Sequence, residues 1–88
     1  MGKANKQAEA AKQIQEFLER SGYSISPRKL TIEDNQHCII LEYKERQIGI
    51  DSASGVWVRE SISHEWRCLA MPCMVSGAIQ AVEFLTSH

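Results

Sequence analysis

The chain has 88 residues, 43% of them hydrophobic and 24% charged, with 10 basic side chains against 11 acidic ones for a net charge of −1. This is the composition of one small globular domain, and it excludes a disordered chain and a chain drawn as a whole toward nucleic acid or anionic lipid. A chain of this size can bury roughly 64% of its surface, enough for one core and too little for a deep internal substrate cavity.

The first element is a helix from about Ala4 to Arg20, with residues 1–5 frayed. Ala10, Ile14, Phe17 and Leu18 follow the i, i+4, i+7, i+8 spacing of one buried stripe. Lys6, Lys12, Gln13, Glu16, Glu19 and Arg20 fall largely outside it, and Glu16 and Arg20 are spaced as a favourable pair. Ser21-Gly22 ends the helix, Gly22 being able to take the left-handed cap conformation.

The middle of the chain alternates. Ser26-Pro27 breaks it, Leu30 and Ile32 alternate, and Asp34-Asn35 signals a turn. A strand follows from about Gln36 to Lys44, with Ile39, Leu41 and Tyr43 on one face and Cys38, Ile40 and Glu42 on the other. Lys44-Glu45-Arg46 is a charged turn into a short strand carrying Ile48 and Ile50. The stretch from Asp51 to Gly55 is a hairpin loop with its positive φ assigned to Gly55. Val56, Trp57 and Val58 form the next strand, the valines facing one way and Trp57 the other. The run from His64 to Leu69 reads equally as a strand or a helical turn. A final helix begins near Pro72, with Val75, Ala78, Ile79, Val82 and Leu85 at helical spacing. Gly77 within it implies a close backbone approach.

The expected fold is a single α+β domain over residues 1–88: a helix, a three- to four-stranded antiparallel sheet and a second helix. The α-β-β-β-α order resembles that of the double-stranded-RNA-binding domain. The resemblance is one of order alone, because the segment from Met71 to Ala78, where that family carries a lysine cluster, has no basic residue.

Chemistry-bearing motifs are sparse. There is no G-x-S-x-G elbow, no H-E-x-x-H helix and no glycine-rich phosphate loop. Asp51, Ser52, Ser54, Ser61, Ser63 and His64 can be drawn as a hydrolytic set, but the serines occupy positions where they cap and turn. His64, Cys68 and Cys73 form a weak metal-ligand spacing without a C-x2-C knuckle. Three cysteines without C-x-x-C argue against a disulfide framework or a redox motif. The expectation is a protein that is not an enzyme and needs no cofactor.

Basic candidates for a nucleic-acid surface are Lys3, Lys6 and Lys12, with Arg28 and Lys29 after the first helix. The more distinctive stretch is Cys68 to Val82, without a charge and just downstream of Trp57 and Trp66. Trp, Met and Arg are the types enriched at interface hot spots, so Trp57, Arg59, Trp66 and Met74 are the partner-binding candidates. The expected function is a non-enzymatic protein-binding module, a regulator, adaptor or inhibitor that occupies a partner protein or a second copy of itself. Size and architecture make it similar to phage and mobile-element inhibitors of host defence. A nucleic-acid-binding module is the alternative, and a zinc- or thiol-dependent protein a second. No apolar run reaches membrane-spanning length and the first twelve residues are polar, so a cytoplasmic protein away from the membrane is expected.

Overall fold

The computed structural model describes residues 6–31, 37–70 and 75–87. Helix α1 (Lys6–Arg20) leads into five strands, β1 (Arg28–Thr31), β2 (His37–Tyr43), β3 (Arg46–Ile50), β4 (Val56–Arg59) and β5 (Arg67–Ala70), and helix α2 (Val75–Thr86) closes the order. The strands lie side by side in chain order, each antiparallel to the next. The domain is α+β as expected, with five strands in place of three or four. The ambiguous run before the last helix supplies the additional strand. Its four residues lack clean alternation because the β4–β5 register shifts between Val56 and Trp57.

Each element follows from local chemistry. Helix α1 stops in a Schellman arrangement. Tyr23 N–H donates to the Leu18 carbonyl at 2.8 Å and Gly22 N–H to the Glu19 carbonyl at 3.0 Å, with Gly22 at φ 92°. Tyr23 then folds onto the core and meets Tyr43 edge to face, ring centroids 5.0 Å apart. The buried stripe of α1 is Ala10, Ala11, Ile14 and Leu18, with Phe17 at its margin. In α2 the stripe is Ala78, Ala81, Val82 and Leu85, and Val75 and Ile79 face outward, against the sequence expectation. The small residues Ala10, Ala11, Ala78 and Ala81 decide this, because they let the two helices and the sheet approach closely.

Both helices cover one sheet face. Ile39, Leu41, Ile48, Ile50, Val56 and Val58 point into that layer. Arg46, at the start of β3, ties down the end of α2: its Nη1 donates to the Phe84 carbonyl at 3.0 Å, to the Ser87 carbonyl and to Ser87 Oγ. A guanidinium among the last carbonyls of a helix also complements the helix dipole. Gln7 on α1 similarly donates to the carbonyls of His37 and Ile50.

The loop between β3 and β4 departs from expectation in one respect. Its left-handed residue is Ser54, at φ 69°, rather than Gly55. Asp51 sets this geometry: its Oδ1 accepts the N–H groups of Ala53 and Gly55, and its carbonyl accepts that of Ser54.

Candidate functional site: the uncovered sheet face

The alternation that sends Ile39, Leu41 and Ile48 toward the helices sends Cys38, Ile40, Glu42, Gln47, Gly49, Trp57 and Arg59 the other way. No helix among the described residues packs on that second face. The strand register lines its side chains up in rows. Glu42 lies opposite Gln47, and Gln47 opposite Arg59. One row along, Ile40 lies opposite Gly49, Gly49 opposite Trp57, and Trp57 opposite Cys68.

Although no helix covers it, much of this face is dry. Ile40 is 1% exposed, Gln47 3% and Cys38 7%. Its own large side chains provide the cover. Trp66, in the segment before β5, folds back so that a Cβ built on Gly49 would stand 3.0 Å from its Cη2 and 3.2 Å from Cys38 Sγ. A side chain at position 49 would crowd the indole and the thiol, so glycine gives Trp66 its close seat on the sheet. The Arg59 guanidinium lies over the Trp66 ring, 4.3 Å from its centroid.

Polar groups pin the aromatic ones. Trp57 Nε1 donates to Asp51 Oδ2 at 2.8 Å, which fixes the tilt of that indole. Arg59 Nε donates to Gln47 Oε1 at 2.7 Å, Gln47 Nε2 donates to Glu42 Oε1 at 3.2 Å, and Arg28 donates to the same Glu42 oxygen at 2.8 Å. A hydrogen-bonded chain thus runs across four strands from Arg59 to Arg28. Trp57 and Trp66, both half-buried, with Asp51 and Cys38 line a cleft of about 280 Å³. Burial pushes the Cys38 thiol above its ordinary range, and the Asp51 carboxylate adds to the shift, so the thiol is held neutral.

Three of the four partner-binding candidates, Trp57, Arg59 and Trp66, therefore share one uncovered face, and Met74 lies outside the described residues. The basic candidates are not brought to one surface. Arg28 is on the uncovered face and paired with Glu42, while the neighbouring Lys29 alternates to the opposite face. Lys6 and Lys12 are exposed on α1, and Lys3 lies outside the described residues.

His64 Nδ1 bonds Ser61 Oγ at 2.8 Å within a turn that the His64 N–H also closes onto the Ser61 carbonyl. Cys68 is exposed on β5, and Cys73 lies outside the described residues. Among the described residues, no group of three or more His, Cys, Asp or Glu side chains is arranged to hold a metal ion, and no helix is long and apolar enough to cross a membrane.

Asp51, Cys38, Gln47 and Gly49 were not singled out from sequence as members of this surface. The signal for Cys38, Gln47 and Gly49 is alternation itself, since Gly49 lies between Ile48 and Ile50 and so shares the Trp57 side of the sheet; Asp51 lies in the loop and is brought to this face by its bond from Trp57. Compared with known proteins, the chain matches no family model, no curated protein and no solved structure.

Proposed function

We propose that this chain is a small non-enzymatic protein-binding module, a regulator, adaptor or inhibitor, that acts by seating the Trp57–Trp66 sheet face on a partner protein. The observation that carries the reading is an uncovered sheet face with two half-buried indoles at its cleft, each held in place by the surrounding side chains. Rigid aromatic anchors lose little conformational freedom on association, which is why Trp and Arg dominate binding hot spots. Five strands spaced by about 4.8 Å present a face roughly 20 Å wide, the scale of a single protein interface. The scatter of the basic side chains disfavours a phosphate-tracking surface.

The test is affinity capture from a source lysate with the wild-type chain and with Trp57→Ala, alongside Ile79→Ala on the helical side as a control. Circular dichroism verifies that each variant folds. A protein recovered stoichiometrically by wild type and by Ile79→Ala, insensitive to nuclease, and weakened about tenfold or more by Trp57→Ala supports the reading. Capture indifferent to Trp57, or abolished by nuclease, refutes it. Sedimentation of the chain alone identifies the case in which the partner is a second copy.

A further inference from the structure

We propose that a second copy of this chain docks on the seam between α1 and α2, on the side of the helices away from the sheet, with Arg20 of each copy set against Glu83 of the other. This surface is opposite to the Trp57–Trp66 face, so it goes beyond the protein-binding reading and does not depend on it.

A helix that meets water along its outer side carries charge there. Helix α2 has one charged residue, Glu83. Its outward row is Val75, Ile79 and Glu83, spaced i, i+4, i+8, and Val75 is 55% and Ile79 45% exposed. Beside this row the helices leave a groove of about 380 Å³, lined by Phe17, Arg20 and Ser21 on one wall and by Ile79, Val82 and Glu83 on the other. The Arg20 guanidinium lies 5.7 Å from the Phe17 ring centroid. The described ion pairs are Arg28–Glu42 and Arg46–Glu60, so neither Arg20 nor Glu83 has an ion-pair partner among the described residues.

These two charges decide the occupant. An uncharged apolar surface would cover both and pair neither, which burial penalises. An acidic surface is attracted by Arg20 and repelled by Glu83, and a basic one the reverse. The groove fits a surface with an anion opposite Arg20, a cation opposite Glu83 and apolar side chains between them. The chain's own groove, turned over, is such a surface.

The turning works because the helices run parallel. Helix α1 begins beside Ile50, whose carbonyl accepts Gln7. Helix α2 begins where Gly77 meets Ala70, and Ala70 pairs with Val56, the partner of Ile50. At the other end of the sheet, the chain leaving α1 packs Tyr23 on Tyr43, and Arg46, opposite Tyr43, holds the end of α2. A twofold axis laid along the groove therefore places α1 of one copy over α2 of the other and keeps the level along the helices. Arg20 then meets Glu83 of the second copy and Phe17 meets Ile79, each contact occurring twice. Helices of 15 and 12 residues, each about 10 Å across, offer a face roughly 20 Å by 20 Å, the low end for a specific interface. A net charge of −1 leaves two copies with little mutual repulsion.

Sedimentation equilibrium of the full chain, from about 10 μM to about 1 mM in about 0.15 M salt, tests the pairing. Wild type is expected to pass from monomer to dimer over this range. Arg20→Glu and Glu83→Arg are each expected to weaken the dimer about tenfold or more, because two like-charge contacts replace two ion pairs. Mixed in equal amounts, the two variants regain a dimer within about threefold of wild type, since every cross-contact again joins an arginine to a glutamate. No arrangement within a single chain gives that recovery. Both positions are exposed, so circular dichroism of each variant matches wild type. A second measurement needs no variant: on dilution of wild type, the amide resonances of Phe17, Ile79 and Glu83 shift and those of Trp57 and Trp66 do not.

Wild type that stays monomeric to about 1 mM, single variants that dimerise as wild type does, or a mixture that stays monomeric overturns the proposal. So does a dimer that Trp57→Ala abolishes, which seats the second copy on the sheet face. The two readings fail separately. Capture of another protein through Trp57 neither requires nor supplies the helical dimer, and the absence of such capture leaves that dimer standing.

Discussion

Gly77 in α2 faces β5 so closely that a Cβ built on it would stand 2.7 Å from the Cβ of Ala70. Carbon atoms in contact prefer about 3.5–4.0 Å, so Gly77→Ala creates an overlap on the order of 1 Å. Both carbons are fixed to backbone in regular elements, and no rotamer change relieves it. Helix α2 must lift from β5, loosening the packing of Ala78, Ala81 and Leu85, all at most 1% exposed. Overpacking of this kind costs about 1–3 kcal/mol. The new alanine returns up to about 1 kcal/mol of helix propensity. The net expectation is a destabilisation of about 1–2 kcal/mol, read in urea unfolding. In a domain of this size it lowers Tm by roughly 4–8 °C for each kcal/mol.

The second arm of the experiment is Ala70→Gly, which removes the other carbon at a cost of about 0.5–1 kcal/mol in a strand. In the double variant the overlap is gone and the helix keeps its alanine. The double-mutant cycle therefore returns a favourable coupling on the order of 1–2 kcal/mol. If Gly77→Ala is as stable as wild type, or if Ala70→Gly fails to rescue it, the close approach of α2 to β5 does not control this site.

Three further expectations test other parts of the structure. Because the folded Cys38 thiol titrates above its ordinary value of 9.0, the unfolded chain ionises first as pH rises. Stability from this group is complete below that value and declines above it, so Cys38→Ala flattens the fall in unfolding free energy between about pH 8 and about pH 10; peptide mapping after alkylation finds Cys68 modified well before Cys38. Replacing Arg46 with Met removes the donors to the Phe84 and Ser87 carbonyls and costs about 1–2 kcal/mol, with faster amide exchange confined to the end of α2; equal exchange in both proteins shows that the guanidinium does not hold that end. Lys44 sits at φ 54° in the turn from β2 to β3, and Lys44→Asn, which tolerates that conformation, raises stability by about 0.5 kcal/mol in thermal unfolding; an unchanged or lower Tm shows that the turn is not strained there.

The elements that could be read from sequence are those whose signal is local. Period-3.6 spacing around Ile14 and Leu18 and the cap at Gly22 define α1. Strict alternation through Ile39, Leu41, Ile48 and Ile50 defines the central strands, and with it the face each side chain occupies. The close approach at Gly77 was legible because glycine inside a helix is unfavourable unless space demands it. Residue type alone points to Gly55 for the positive φ of the β3–β4 loop, whereas the hydrogen bonds of Asp51 place it at Ser54. Strand β5 was ambiguous because four residues at a register shift carry too little periodicity, and its pairing with β4 is decided by contact.

The amino-acid order by itself determined an α+β domain with one apolar sheet layer, because alternation and helical spacing are properties of neighbouring residues. Tertiary structure alone decided what lies on the other side of the sheet. Trp57, Trp66, Asp51, Cys38 and Gly49 come from separate segments, and their assembly depends on strand register and on Trp66 folding back over Gly49. Residue types mark such side chains as able to bind. Only the sheet brings two indoles, a thiol and a carboxylate around one cleft, because non-local pairing sets the distances between groups that sequence separates.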